Sequence, residues 1–184
     1  MKQQSIKISI ILLIVFSAYF LCSAFVKERS VSFTEPEKAL KNVDEDILAS
    51  ISAEEKGDQA LYFFIDSKHN LGAAKLHKGL LGWKVIQSRI SPVRTNLPND
   101  ILSNIATEGD LVYGLLPNEE NQSIKVNGID AKWIDLQSKL GVKAVQYHVD
   151  QLALWYFQGK DSTQKNVILF NEETKKKLDE RSVY

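Results

Sequence analysis

The chain has 184 residues, and its 23 Lys and Arg balance 23 Asp and Glu, so its net charge is zero. That length allows one medium domain or two small ones. The charge balance gives no electrostatic reason to expect a nucleic acid partner, and a single cysteine excludes an intramolecular disulfide.

Residues 8–26 carry no charge and hold twelve Ile, Leu, Val or Phe among nineteen positions. A helix of that length spans roughly 28 Å, close to the ~30 Å hydrocarbon core of a bilayer. Lys2 and Lys7 precede the run and Lys27-Glu28-Arg29 follow it. The expectation is a membrane segment within residues 1–29, with the membrane as a partner through residues 8–26. A short basic N-terminal tail facing the cytoplasm would place the rest of the chain outside. The rival reading is a cleaved signal peptide, with Cys22-Ser23-Ala24 as the cleavage site. The run is longer than a usual signal core and the flanking Phe20, Leu21 and Phe25 are bulky, which favours the retained anchor. Lipid attachment at Cys22 is disfavoured because Tyr19-Phe20-Leu21 are not small.

Setting aside Lys2 and Lys7 leaves 21 of the 23 basic residues against 23 acidic ones, a net charge of −2. Because Cys22 lies inside the apolar run, the remaining chain has no thiolate for a disulfide or a metal. A disulfide-free exported domain fits a bacterial surface protein better than an animal one.

Residues 30–57 read as an amphipathic stalk helix. Thr34 and Glu37 have capping-box spacing, Pro36 suits a first turn, and Leu40, Val43, Ile47 and Ile51 share a helical stripe. Residues 58–92 read as a three-stranded meander: Leu61-Tyr62-Phe63-Phe64-Ile65, then 71–77, then 83–90 stopped by Pro92. Residues 93–109 read as a linker, with a short helix over 101–106.

Residues 110–170 form the next antiparallel unit, opening with a strand over 111–116. Asn127-Gly128 sits between alternating segments and predicts a two-residue type I′ hairpin. Its register sets Val126 against Ile129, Ile124 against Ala131 and Lys125 against Asp130. Residues 144–149 and 152–158 read as a strand pair. The second is apolar on both faces, which predicts a central strand. Residues 167–170 read as the last strand, and 171–184 as a polar C-terminal helix and tail, with Asn171 as cap and Glu172/Lys176 and Glu173/Lys177 at helical spacing. The expected class is mainly β, α+β overall: transmembrane helix, stalk helix, meander, sandwich-like sheet and a C-terminal helix.

Chemistry-bearing motifs are missing from the sequence. There is no nucleophile elbow, no paired-histidine zinc motif and no phosphate-binding loop. His148 and Asp150 share strand parity and could give a metal two ligands, but no third is identifiable. His69 reads as a turn residue and His77 as solvent-facing. Asp44-Glu45-Asp46, Glu54-Glu55 and Glu119-Glu120 read as solvated charge runs, and Asn121-Gln122-Ser123 as turn chemistry rather than a glycosylation site. Trp83, Trp133, Trp155, Tyr147, Tyr156 and Phe157 read as core residues on strands, with Tyr156 or Trp155 a partner anchor if exposed. No catalytic, cofactor-binding or metal residue is assigned and no cofactor is expected.

The Lys-flanked apolar start, Lys78-Gly79-Leu80-Leu81-Gly82-Trp83-Lys84, and Val112-Tyr113-Gly114 followed by the Asn127-Gly128 hairpin resemble small membrane-anchored extracytoplasmic proteins of Gram-positive bacteria. The resemblance implies an envelope location and carries over no functional residue. The sequence therefore points to a non-catalytic binding or regulatory domain at the cell envelope, acting on another envelope protein. The alternatives are an envelope hydrolase using His148 with Asp150 or an unrecognised carboxylate, and a secreted factor released by signal cleavage.

Overall fold

The computed structural model describes residues 2–43, 46–95, 102, 104–159 and 164–184, with side chains from Leu12 onward, Pro92 excepted. The protein is mainly β, built from antiparallel sheets with a few helices. Two helices come first, α1 (Lys2–Ser30) and α2 (Pro36–Val43). A four-stranded meander follows in spatial order β1 (Ile47–Lys56), β2 (Gln59–Asp66), β3 (Asn70–Gly79), β4 (Gly82–Arg94). The second sheet comprises β5 (Ile105–Glu108), β6 (Leu111–Pro117), β9 (Lys132–Asp135) and β10 (Leu152–Gln158), ordered β5-β6-β10-β9. The third is ordered β12-β11-β7-β8, from β7 (Gln122–Val126), β8 (Ile129–Asp130), β11 (Lys165–Asn171) and β12 (Lys176–Val183). Two short helices, α3 (Leu136–Leu140) and α4 (Val142–Gln146), lie between β9 and β10.

Alternation along the strands explains the stacking. In the meander, Ile51, Phe63, Ile65 and Leu71 face the second sheet, where Tyr113, Leu115, Leu154 and Tyr156 meet them. The opposite face, with Tyr62, Phe64, Leu76 and Trp83, is covered by Ala39 and Leu40 of α2. The second sheet turns Val112, Leu116 and Trp155 toward Ile124, Val126, Val167 and Leu169 of the third. The order of layers is thus helix, sheet, sheet, sheet. β10 is hydrogen-bonded to β6 and β9 and buried on both faces, as its two-sided apolar sequence predicts.

Several expected elements take other forms. The stalk helix stops at Val43, and residues 47–56 are strand β1. A spacing of four satisfies both the helical and the regular strand period, so Ile47 and Ile51 do not discriminate; in the strand Ala49, Ile51 and Ala53 share one face, and a register shift after Ile47 turns that residue to the α2 side. β4 continues to Arg94 instead of stopping at Pro92. It is the edge strand, where a missing N–H is tolerated, and its pairing with β3 shifts register between Ile90 and Arg94.

The helix expected over 101–106 is replaced by β5 at its C-terminal end, while Ile101 and Ser103 lie outside the described residues. The strand expected over 144–149 is instead α4 and the turn after it. Leu136, Leu140 and Ala144 turn into the core at four-residue spacing, while Val142 and Val145 face solvent. The C-terminal helix is replaced by a turn and β12, which pairs with β11. Asn171 accepts from the Thr174 N–H in that turn, and the charged residues of β12 line a sheet edge, where charge discourages further pairing.

The 110–170 unit is not one sheet. The β7–β8 hairpin lies in the third sheet and β9, directly after it, in the second. The hairpin itself has the expected register, with Val126 opposite Ile129, Lys125 opposite Asp130, and the Ala131 N–H bonded to the Ile124 carbonyl. Asn127 and Gly128 take φ of 52° and 82°, as a type I′ turn requires.

From Leu12 to Val26, α1 carries apolar side chains on all sides and exposes them. Among the described residues, no helix is long and apolar enough to cross a membrane. Its C-terminal end is fastened to the β3–β4 hairpin. Glu28 accepts a hydrogen bond from Lys84 Nζ at 2.6 Å, and Phe33 and Trp83 exchange backbone hydrogen bonds of 2.8 and 2.7 Å.

Candidate functional site

A cleft of about 340 Å³ lies at the seam between the meander and the second sheet. Its walls include Glu54 and Lys56 at the end of β1, Gln59 on β2, Lys75 on β3, Ile86 on β4 and Gln158 at the end of β10. Charges accumulate here because β1 and β10 run out of apolar residues at this end, after Ala53 and Phe157.

Two acidic centres organise the seam. Glu54 accepts hydrogen bonds from the Lys132 ammonium and from the Tyr156 hydroxyl, the latter at 3.1 Å. Asp110 accepts from the Lys75 ammonium and, at 2.9 Å, from Gln158 Nε2. Each centre ties the meander to the second sheet, since Glu54 and Lys75 belong to one and Lys132, Tyr156 and Asp110 to the other or its leading turn. Gln87 on β4 adds a third crossing by donating to Glu108 on β5 at 3.0 Å. Lys132 Nζ also sits 5.7 Å from the Tyr156 ring centroid, within cation–π range.

The electrostatics favour fixed charge. The hydrogen bond from Lys132 holds the Glu54 carboxyl below its ordinary range, against the opposing pull of burial. Burial acts upward on Asp110, but the hydrogen bonds from Lys75 and Gln158 outweigh it and leave its carboxyl lowered as well. Burial, reinforced by Glu54, raises the Tyr156 phenol. Burial likewise pushes the Tyr113 phenol up to about 12. A general acid or base works best with a pKa near the operating pH. All these shifts run away from neutrality, which favours ionised carboxyls at Glu54 and Asp110 and neutral phenols at Tyr113 and Tyr156. Such a set can orient a polar ligand or lock two sheets together.

The residues singled out in the sequence do not converge here, apart from Glu54 and Tyr156. His148 is exposed, in the turn after α4 with φ of 56°, rather than on a strand face, and Asp150 is half-buried two residues on. Among the described residues, no group of three or more His, Cys, Asp or Glu could hold a metal ion. His69 sits in a turn with φ of 60°, and His77 is partly exposed, its Nδ1 3.6 Å from Asp58. Trp155 and Tyr156 are buried, so neither is an exposed anchor. Trp83 is buried against α2 and Trp133 half-buried opposite Trp155. Phe157 is half-buried, and so is Tyr147, which ends α4 instead of lying on a strand and donates to the Leu48 carbonyl at 3.3 Å.

Glu54-Glu55 is not a free charge run: Glu55 accepts from the Tyr62 hydroxyl at 2.5 Å. Glu119-Glu120 lies in an exposed turn, and Asn121 adopts a left-handed φ of 67° there, as turn chemistry predicts. Asp44 and Glu45 lie outside the described residues. Lys75, Asp110 and Lys132 had no local signal, because their partners lie 35 and 78 residues away in sequence.

No family model, curated protein or solved structure matches this chain.

Proposed function

We propose that this chain is a single-pass membrane protein whose N-terminal helix anchors an extracytoplasmic, mainly β domain. In this reading the domain binds or regulates another envelope component without catalysis. The observation that carries it is the exposure of α1. Ten large apolar side chains between Leu12 and Val26 are each 55–71% exposed, a patch far beyond what a water-soluble monomer ordinarily presents. By sequence the uncharged run begins four residues earlier, at Ile8, which brings it to the length of a bilayer core. Lys2 and Lys7 ahead of the run support a cytoplasmic location for that side of the helix. The paired, ionised state of Glu54 and Asp110 supports binding over proton-transfer chemistry.

Alkaline carbonate extraction of native membranes, followed by protease treatment of intact spheroplasts, tests the anchor. The full-length chain should stay in the pellet and its β domain should be cut from outside. A soluble product whose mass begins at Phe25 would replace the anchor with the secreted reading. Cross-linking in the native membrane, read by mass spectrometry, should attach a specific envelope protein to the β domain. Turnover of a cell-wall or peptide substrate that is abolished by Glu54→Gln would overturn the non-catalytic reading.

A further inference from the structure

We propose that the tip of the β3–β4 hairpin, Leu80 with Leu81, enters the same lipid surface as α1 and gives the domain a second membrane contact. This rests on the anchor reading and adds to it an orientation for the domain. Leu80 is fully exposed, at 105% of its reference area, in a turn of only two residues between Gly79 and Gly82. A solvated turn of that length ordinarily carries Asn, Asp or Gly, so two leucines there are conspicuous. They also lie beside α1: Ala24, Phe25, Glu28, Leu80 and Leu81 line one shared apolar hollow.

The placement is rigid. The Glu28–Lys84 ion pair and the two Phe33–Trp83 backbone hydrogen bonds fasten the hairpin to the end of the helix. At about 1.5 Å per residue, the level of Ala24 and Phe25 is roughly 3–5 Å inside Lys27. Interfacial apolar groups settle about 5–10 Å into the headgroup boundary. If α1 spans, the hairpin tip is therefore carried to the acyl boundary. A lipid surface accounts at once for the full exposure of Leu80 and for the position of the tip beside the apolar part of α1.

The test uses the full chain in vesicles of phosphatidylcholine and phosphatidylglycerol, with Cys22→Ser removing the native thiol. An environment-sensitive fluorophore is placed singly at Leu80→Cys, at Phe16→Cys on the helix, and at Ile129→Cys on the β7–β8 hairpin. The Leu80 label should show blue-shifted emission, quenching by shallow nitroxide lipids and loss of quenching by aqueous iodide. The Ile129 label should do the reverse. A Leu80 label that behaves like Ile129 while Phe16 is lipid-quenched overturns the second contact and leaves the anchor intact. A Leu80 label shielded from iodide but untouched by nitroxide lipids means that protein covers the tip, which also overturns it. If the Phe16 label is itself open to iodide, the anchor reading falls, and the hairpin contact with it.

Discussion

Glu28 and Lys84 meet at 2.6 Å although 56 residues separate them, and this pair closes the junction between the N-terminal helix and the meander. Both side chains are about a third exposed, so the pair contributes no more than ~1 kcal/mol to stability. Its expected consequence is geometric: beside the Phe33–Trp83 bridge it gives the end of α1 a second point of attachment to the meander. Lys84→Met should leave the unfolding midpoint in detergent nearly unchanged. It should broaden the spin-label distance distribution between Phe16→Cys and Leu178→Cys in the Cys22→Ser background. A distribution as narrow as that of the unsubstituted junction would show that the backbone bridge alone sets the angle.

Gly72 and Gly82 hold the same region together by lacking a side chain. A Cβ on Gly72 would stand 2.2 Å from the Phe64 ring, and one on Gly82 would stand 2.4 Å from the Phe33 carbonyl oxygen, at a φ of +128°. The Phe64 ring is fully buried under α2, so it cannot swing aside without opening that core. Gly72→Ala should destabilise by about 1–3 kcal/mol, the usual cost of overpacking. Gly82→Ala should in addition weaken the Phe33 bridge, seen as faster amide exchange at Phe33 and Trp83. Urea unfolding and hydrogen exchange read the two effects separately.

The seam between the first two sheets should give the domain an acid-sensitive joint. Glu54 and Asp110 both have carboxyls lowered in the folded state. Groups of this kind contribute stability that is fully present above the unfolded pKa, near 4. That contribution is lost as pH falls through the folded values. Stability should therefore be flat from neutrality down to about pH 5 as far as these two groups are concerned, and should decline below about pH 4. The double variant Glu54→Gln/Asp110→Asn should be slightly less stable at pH 7, by on the order of 1 kcal/mol given the partial exposure of both sites. It should also show a shallower decline in acid. Urea midpoints at pH 7 and pH 3.5 for both proteins decide this; parallel acid limbs would place the sensitivity in other carboxylates.

The parts of the fold legible in the sequence are those whose signal is local. The Asn127-Gly128 register, the three strands around Phe63, Ala74 and Val85, and the two-sided strand at Trp155 all follow from neighbours within a few residues. The misread parts are those where one spacing serves two periods. Ile47 and Ile51, four apart, would suit a helix or a regular strand equally; in β1 a register shift after Ile47 turns it to the α2 side, while Ile51 stands opposite Phe63 and faces the second sheet. Lys176 and Lys177 stand at helical spacing from Glu172 and Glu173 in the sequence. The observed ion pairs are instead Glu172–Lys175 in a turn and Lys177–Glu180 along β12. The seam was illegible for a different reason. Glu54 and Lys132 share no element, and their meeting depends on how two whole sheets stack.

Asn127 offers the sharpest test of the one local signal that was fully specified. Its φ of 52° is left-handed, which costs an ordinary residue roughly 1–2 kcal/mol and asparagine less. Its side chain does a second thing, accepting a hydrogen bond from the Asn166 N–H at 2.7 Å, beside the Asn127 N–H to Asn166 carbonyl bond of 2.8 Å. The turn is thereby tied to the start of β11 as well as closing its own hairpin. Asn127→Gly keeps the backbone conformation and loses only the side-chain bond, so it should cost on the order of 1 kcal/mol. Asn127→Ala loses the bond and also strains the backbone, so it should cost about 1–2 kcal/mol more than Asn127→Gly. Chemical denaturation of the three proteins under one condition gives the order. Equal stability for Asn127→Gly and Asn127→Ala would mean that the turn relaxes out of the type I′ form at little cost. The register of Lys125 with Asp130 would then be held by the third sheet and not by its turn.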